Sequence, residues 1–132
     1  MKTSQKKSFM INKNGSSQIV TSGGVIIYRF NGIEIELLMI NSRGGFEDFG
    51  GKISDSDKSI YKTIARETYE ESNGLLKLKQ IENRILDSPH YIYIPNSKYV
   101  CFIIEATLKE SQLKSEDFGT IEIHDNIERL VK

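Results

Sequence analysis

Tryptophan is missing from this sequence, cysteine occurs once, proline twice, and 18 basic residues are matched by 18 acidic ones. With Cys101 alone, an intramolecular disulfide is excluded and nothing favours an oxidising compartment. No uninterrupted apolar run approaches the ~18–20 residues that span a bilayer, and residues 1–17 hold no apolar segment of signal-peptide length. A cytoplasmic protein without membrane contact is the expectation. The balanced charge gives no support to a broad nucleic-acid-binding face. It is unevenly placed, however. Residues 1–17 carry Lys2, Lys6, Lys7 and Lys13 and no acid, which leaves a net −4 on residues 18–132 of a chain whose total is zero.

What is present fits one ordinary globular domain: 132 residues, 38% hydrophobic and 27% charged, outside the ranges of disordered and membrane chains. Residues 1–17 have neither helical nor strand periodicity and read as a flexible basic tail, with residues 18–132 as the domain. Gln18–Phe30 is rich in β-branched residues, Asn31-Gly32 is a favoured hairpin turn, and Ile33–Ser42 starts in strict alternation before turning almost wholly apolar. That second run predicts a strand passing from a sheet edge into a covered centre. Asp57 to Ser72 contains no Gly or Pro, with Asp57 as the expected N-cap and Asn73-Gly74 as the stop, so a main helix is predicted over about 57–72. Ile85–Ile94 and Lys98–Leu108 read as strands joined around Pro95-Asn96, residues 109–120 as a polar loop, and residues 120–123 as a short strand. A helix beginning near Asp125 has only eight residues and is expected to be short or truncated.

On a helical wheel with Ile60 at zero, Ile64 lies at about 40°, Glu67 at about −20° and Glu71 at about +20°, so two carboxylates continue an apolar stripe. Glu70 lies at about −80° on the same wheel. Three like charges near a helix C-terminus repel one another and oppose the helix dipole. An acidic pair in a helix is ordinarily a solvated patch. Here Gly50-Gly51 and Lys52 stand a few residues upstream, where bare backbone and a cation can meet phosphate. Mg²⁺, or Mn²⁺ in its place, would resolve the repulsion, since it takes hard oxygen ligands and bridges carboxylates to a polyphosphate.

Residues 50–75, GGKISDSDKSIYKTIARETYEESNGL, resemble the Nudix box: Gly, five residues, Glu, seven residues, then Arg-Glu-U-x-Glu-Glu-x-Gly-U with U apolar. Gly51 matches the opening glycine, Arg66-Glu67 the Arg-Glu pair, Glu70-Glu71 the Glu-Glu pair, and Gly74-Leu75 the close. The match spans about a fifth of the chain. It departs in four ways: Asp57 stands for the usual Glu, eight residues rather than seven separate it from Arg66, Thr68 takes an apolar position, and Asn73 is extra. The shorter Asp57 is expected to bridge Arg66 more loosely.

The resemblance implies a Nudix-like α/β/α sandwich with a mixed β-sheet and one main catalytic helix. It also implies metal-dependent hydrolysis of a nucleoside diphosphate linked to another group. Glu67, Glu70 and Glu71 are the implied ligands, with the Gly50 carbonyl, and Arg66 the residue that holds the cluster. Lys52, Gly51 and Arg43 are candidates for contact with a small phosphorylated substrate, and Glu116 or Glu122 for an additional carboxylate. RNA 5′-end or cap hydrolysis and a non-catalytic binding module are the alternatives, and substrate identity and oligomeric state stay open. Cys101 and Tyr91 and Tyr93 read as packing residues, and His90 and His124 lack metal-ligand spacing.

Overall fold

A computed structural model describes residues 7–13, 15–42, 45–118 and 130–131. The chain opens with a hairpin, β1 (Phe9–Lys13) and β2 (Ser16–Val20), turning at Gly15, whose φ of 77° suits glycine. For residues 9–13 and 16–17 this corrects the reading of residues 1–17 as a tail. Phe9 and Ile11 alternate with exposed Met10, and Ile11 and Val20 are buried in the core. Lysine content masked a period-two pattern. Residues 1–6 lie outside the described residues. Lys7, too, is engaged, its Nζ donating to the carbonyls of Asp55 (2.9 Å) and Asp57 (2.6 Å).

β3 (Ser22–Asn31) is the axis of the central sheet. It pairs antiparallel with β4 (Glu34–Leu38) and with β7 (Phe49–Lys52), and parallel with β9 (Tyr99–Glu105), whose far side takes β8 (Tyr91–Ile94). The fold is thus α/β with a mixed sheet. The turn between β3 and β4 consists of Gly32 and Ile33, one residue later than expected, with Gly32 supplying the positive φ of 67°. Beyond it β4 does not enter a covered centre. It is an edge strand, and Ile35 and Leu37 remain 60% and 48% exposed. A smaller sheet holds β5 (Ile40–Ser42), β6 (Gly45–Glu47) and β10 (Leu130–Val131).

One sheet face is closed by two helices, α1 (Ile60–Glu71) and α2 (Leu78–Asp87). From α1, Ile60, Ile64 and Ala65 join Val25, Ile27, Val100 and Phe102 in the buried core, as the apolar stripe requires, and Thr68 is buried as well. Ser59, rather than Asp57, caps α1, its Oγ accepting from Lys62 N at 3.1 Å. The stop is as expected. Asn73 and Gly74 take φ of 53° and 80°, and Gly74 N–H returns to the Tyr69 carbonyl at 2.8 Å. α2 corrects the expectation of a strand beginning at Ile85 and adds a helix that the sequence reading did not mark. Ile81 and Ile85, one helical turn apart, are both fully buried, and Pro89 lies just past the helix end.

Residues 109–118 are more ordered than the polar loop expected over 109–120. Thr107 and Glu110 form a capping box on α3 (Leu108–Ser111), and a 3-10 turn runs over Ser115–Phe118. The strand expected at 120–123 and most of the closing helix lie outside the described residues. Leu130 and Val131 themselves form strand, paired with β5. No described helix is long and apolar enough to cross a membrane.

Candidate functional site

α1 packs on β7, so the acidic helix face meets the two glycines of that strand. Glu71, 9% exposed, accepts a hydrogen bond from Gly50 N–H at 2.9 Å. Glu67 lies directly over Gly51, and a Cβ there would collide with the Glu67 carboxylate. Gly23, the cross-strand partner of Gly51, gives the same close approach to Ile64. The glycines therefore let the helix settle near enough for its carboxylates to reach the strand backbone.

Arg66 ties the helix to the loop that precedes it. Its Nε donates to Asp57 Oδ1 at 3.1 Å and its Nη2 to Asp57 Oδ2 at 3.0 Å, while Nη2 also meets the Lys52 carbonyl at 3.2 Å. The expectation of a looser bridge from the shorter Asp57 is thereby corrected: the pairing is bidentate. With its own segment drawn in against α1, Asp57 reaches the guanidinium without the extra methylene. Its Oδ2 also accepts from Ser54 N–H and Thr63 Oγ1, both at 2.8 Å. Burial raises the Asp57 carboxyl, but Arg66, Ser54 and Thr63 more than offset this and hold it below the usual aspartate range. The bond to Asp57 leads in pushing the Arg66 guanidinium further up.

Toward the cluster, Arg66 Nη1 contacts Glu67 Oε2 at 3.3 Å and Glu70 Oε1 at 3.4 Å. The helix thus carries its own cation among its acids. Among the described residues, no three acidic, histidine or cysteine side chains converge as a ready-made cation cage. The donor set is nonetheless of the right chemistry for Mg²⁺ or Mn²⁺, since carboxylates held against strand backbone are hard oxygen donors.

Of the other expected residues, Lys52 is exposed and lines a cleft of about 380 Å³ with Thr21, Ser22, Asn96, Ser97 and Lys98. Its register partner Ser22 sits between it and Tyr99 across three strands. Glu116 is exposed on the 3-10 turn, and that turn is drawn to the end of α1 by Asn73, whose Nδ2 donates to the Phe118 carbonyl. The extra residue of the box therefore has a structural use. Arg43 and Glu122 lie outside the described residues.

The structure adds a group that sequence reasoning missed. Asp48, immediately before β7, accepts from the Tyr99 hydroxyl and lies 3.5 Å from Cys101 Sγ. Gly24 leaves no room for a Cβ beside it. Burial raises the Tyr99 hydroxyl, and the charges of Asp48 and Glu71 add to this, so these groups share one electrostatic neighbourhood. Burial and Asp48 likewise push the Cys101 thiol up to about 12, which fits its reading as a packing residue. The available signal was an acid two residues before the glycine pair. Compared with models of known protein families the chain matches none, and no curated protein matches it significantly.

Proposed function

We propose that this chain is a metal-dependent hydrolase of the Nudix type, cleaving the diphosphate linkage of a nucleoside diphosphate joined to another group. The observation that carries the reading is the junction of α1 with β7, where Glu71 takes the Gly50 N–H and Glu67 lies on Gly51. A solvated acidic patch would need no such approach. On this reading the mixed sheet and its α1–α2 layer are two of the three layers of a Nudix-like α/β/α sandwich.

Glu67, Glu70 and Glu71 would hold Mg²⁺ or Mn²⁺, with the Gly50 carbonyl as a further oxygen donor. When bound, the ion supplies charge neutralisation on the diphosphate and acidifies water in its shell. Glu67 and Glu70 meet Arg66 at 3.3 and 3.4 Å, long for charge-assisted bonds, so exchanging those contacts for a cation costs little. Arg66 keeps its stronger anchorage to Asp57 and holds the helix against the loop. Lys52 and Arg43 would meet the phosphates, Gly51 would admit them to the backbone, and Glu116 or Glu122 would contribute a further carboxylate. The cleft shared by Lys52 and Lys98 favours one alternative, an RNA 5′ end or cap, because a second basic residue can engage a following phosphate.

Formation of the two phosphorylated products from nucleotides, dinucleotides, nucleotide sugars and capped RNA, followed by chromatography with and without divalent cation, tests both readings. Full turnover in EDTA would sink the metal-dependent one. Preference for capped RNA, with affinity falling by a log–log salt slope of about −0.7 per phosphate contact, would select the alternative.

A further inference from the structure

Two sets of groups compete for the Arg66 guanidinium. From the segment before α1 it is held by both carboxylate oxygens of Asp57, at 3.1 and 3.0 Å, and by the Lys52 carbonyl at 3.2 Å. From its own helix it is met by Glu67 and Glu70 at 3.3 and 3.4 Å. These two acids, one residue and one turn further along α1, stay within its reach wherever the segment lies. How closely they draw the guanidinium is therefore set by the placing of residues 52–57. That segment is shaped from within: Asp57 N–H donates to the Ser54 carbonyl at 3.0 Å and Ser54 N–H to Asp57 Oδ2 at 2.8 Å, which closes a turn without fixing where the turn sits. Lys7 holds it from outside. Its half-buried ammonium donates to the Asp55 carbonyl at 2.9 Å and to the Asp57 carbonyl at 2.6 Å, joining points 48 and 50 residues apart in sequence. Its stem is placed in turn by β1, since Nζ lies 5.3 Å from the centroid of the Phe9 ring and Phe9 packs against the core.

We propose that Lys7 is a positioning residue for the metal site: by pinning the turn of residues 54–57 to the N-terminal hairpin, it keeps Asp57 on Arg66 and Arg66 off Glu67 and Glu70. The inference rests on the metal-dependent reading above. An ammonium shared by two carbonyls makes charge-assisted bonds, about twice as strong as neutral ones, so its loss frees the turn to move away from α1. A guanidinium released from Asp57 then closes on Glu67 and Glu70 to full ion-pair distance and occupies the carboxylates that a divalent cation needs. With Lys7 in place, Arg66 spends its best-placed donors on Asp57, and the cation meets less competition for the acids. Lys7 touches neither metal nor substrate on this account and acts through Asp57 and Arg66.

Two measurements on the full chain test this, each made on wild type, Lys7→Met and Lys7→Arg. Methionine keeps an apolar stem over Phe9 and removes the donors, whereas arginine restores donors for both carbonyls. The first measurement is hydrogen exchange of the Arg66 Nε–H, followed by NMR in the metal-free protein. Exchange is expected to quicken about tenfold in Lys7→Met, the worth of one weak charge-assisted bond, and to return toward the wild-type rate in Lys7→Arg. The second is Mn²⁺ titration followed by electron paramagnetic resonance. Its dissociation constant is expected to rise about tenfold in Lys7→Met and to recover in Lys7→Arg. Equal exchange rates in all three chains would overturn the proposal. So would a Mn²⁺ affinity that Lys7→Met leaves unchanged, or a loss that Lys7→Arg does not repair. A wild-type chain that binds no Mn²⁺ overturns the metal-dependent reading, and the exchange rates keep that failure distinct, since quickened exchange in Lys7→Met supports the hold on Arg66 without any cation.

Discussion

Replacing Asp57 by Asn keeps the shape of a side chain that is 5% exposed and removes its charge. Four hydrogen bonds are affected: two from Arg66, one from Ser54 N–H and one from Thr63 Oγ1. Breaking a buried ion pair costs about 3–5 kcal/mol, and Arg66, 28% exposed, recovers some hydration, so a loss of about 3 kcal/mol is expected. At about 4 °C per kcal/mol for a chain of this length, the melting temperature should fall by about 12 °C at pH 7. The pH dependence has a definite sign. Because the native carboxyl is held below the unfolded value of about 3.9, its contribution is complete above about pH 5 and is lost as pH falls through the native value. The gap between wild type and Asp57→Asn should therefore narrow in acid. Thermal melts by circular dichroism from pH 7 down to pH 3 measure it. A loss below about 1 kcal/mol at pH 7, or a gap that widens in acid, would refute the account of Asp57 as the buried anchor of Arg66.

Glu71→Gln should lower turnover by at least about 100-fold while leaving the metal-free melting temperature unchanged or slightly raised, because the amide oxygen still accepts from Gly50 N–H and the repulsion between acids eases. A clear drop in that temperature would mark Glu71 as a structural residue. Lys52→Ala should raise KM about tenfold with a smaller effect on kcat, read from steady-state kinetics on a nucleotide substrate, and an unchanged KM would remove Lys52 from substrate contact. Cys101, its thiol pushed up to about 12, should resist disulfide-exchange reagents at pH 8 until the chain is unfolded; rapid labelling of the native protein would contradict its burial. Deletion through Lys13 should unfold much of the domain, since β1 places Ile11 in the core; a melt by circular dichroism unchanged from that of the full chain would contradict that role.

Elements written in local pattern were legible in the sequence. α1 was marked by its i, i+4 apolar stripe and by Asn73-Gly74, and the β3–β4 turn by a glycine that takes positive φ. Such features are governed by backbone sterics and neighbours a few residues away, so they survive without knowledge of the rest of the chain. α2 was missed because its buried set is only Ile81 and Ile85, and Ile85 begins a run that also alternates. β1 was missed because two apolar positions among lysines carry little signal until a core receives them.

The order of acids and glycines along residues 50–75 is a property of the sequence, and it limited the chemistry that a metal and a phosphate could find here. Which atoms meet was decided only by the tertiary structure. Asp57 meets Arg66 with both oxygens and Ser59 caps the helix because both the distance to the guanidinium and the start of the helix depend on how the loop folds onto α1. Asp48 joined Tyr99 through a separation of 51 residues, and Lys52 joined Lys98 in one cleft, by the pairing of β7, β3 and β9. Strand pairing is a long-range contact whose free energy comes from burial and hydrogen bonding across the sheet, and no local run of residues contains it.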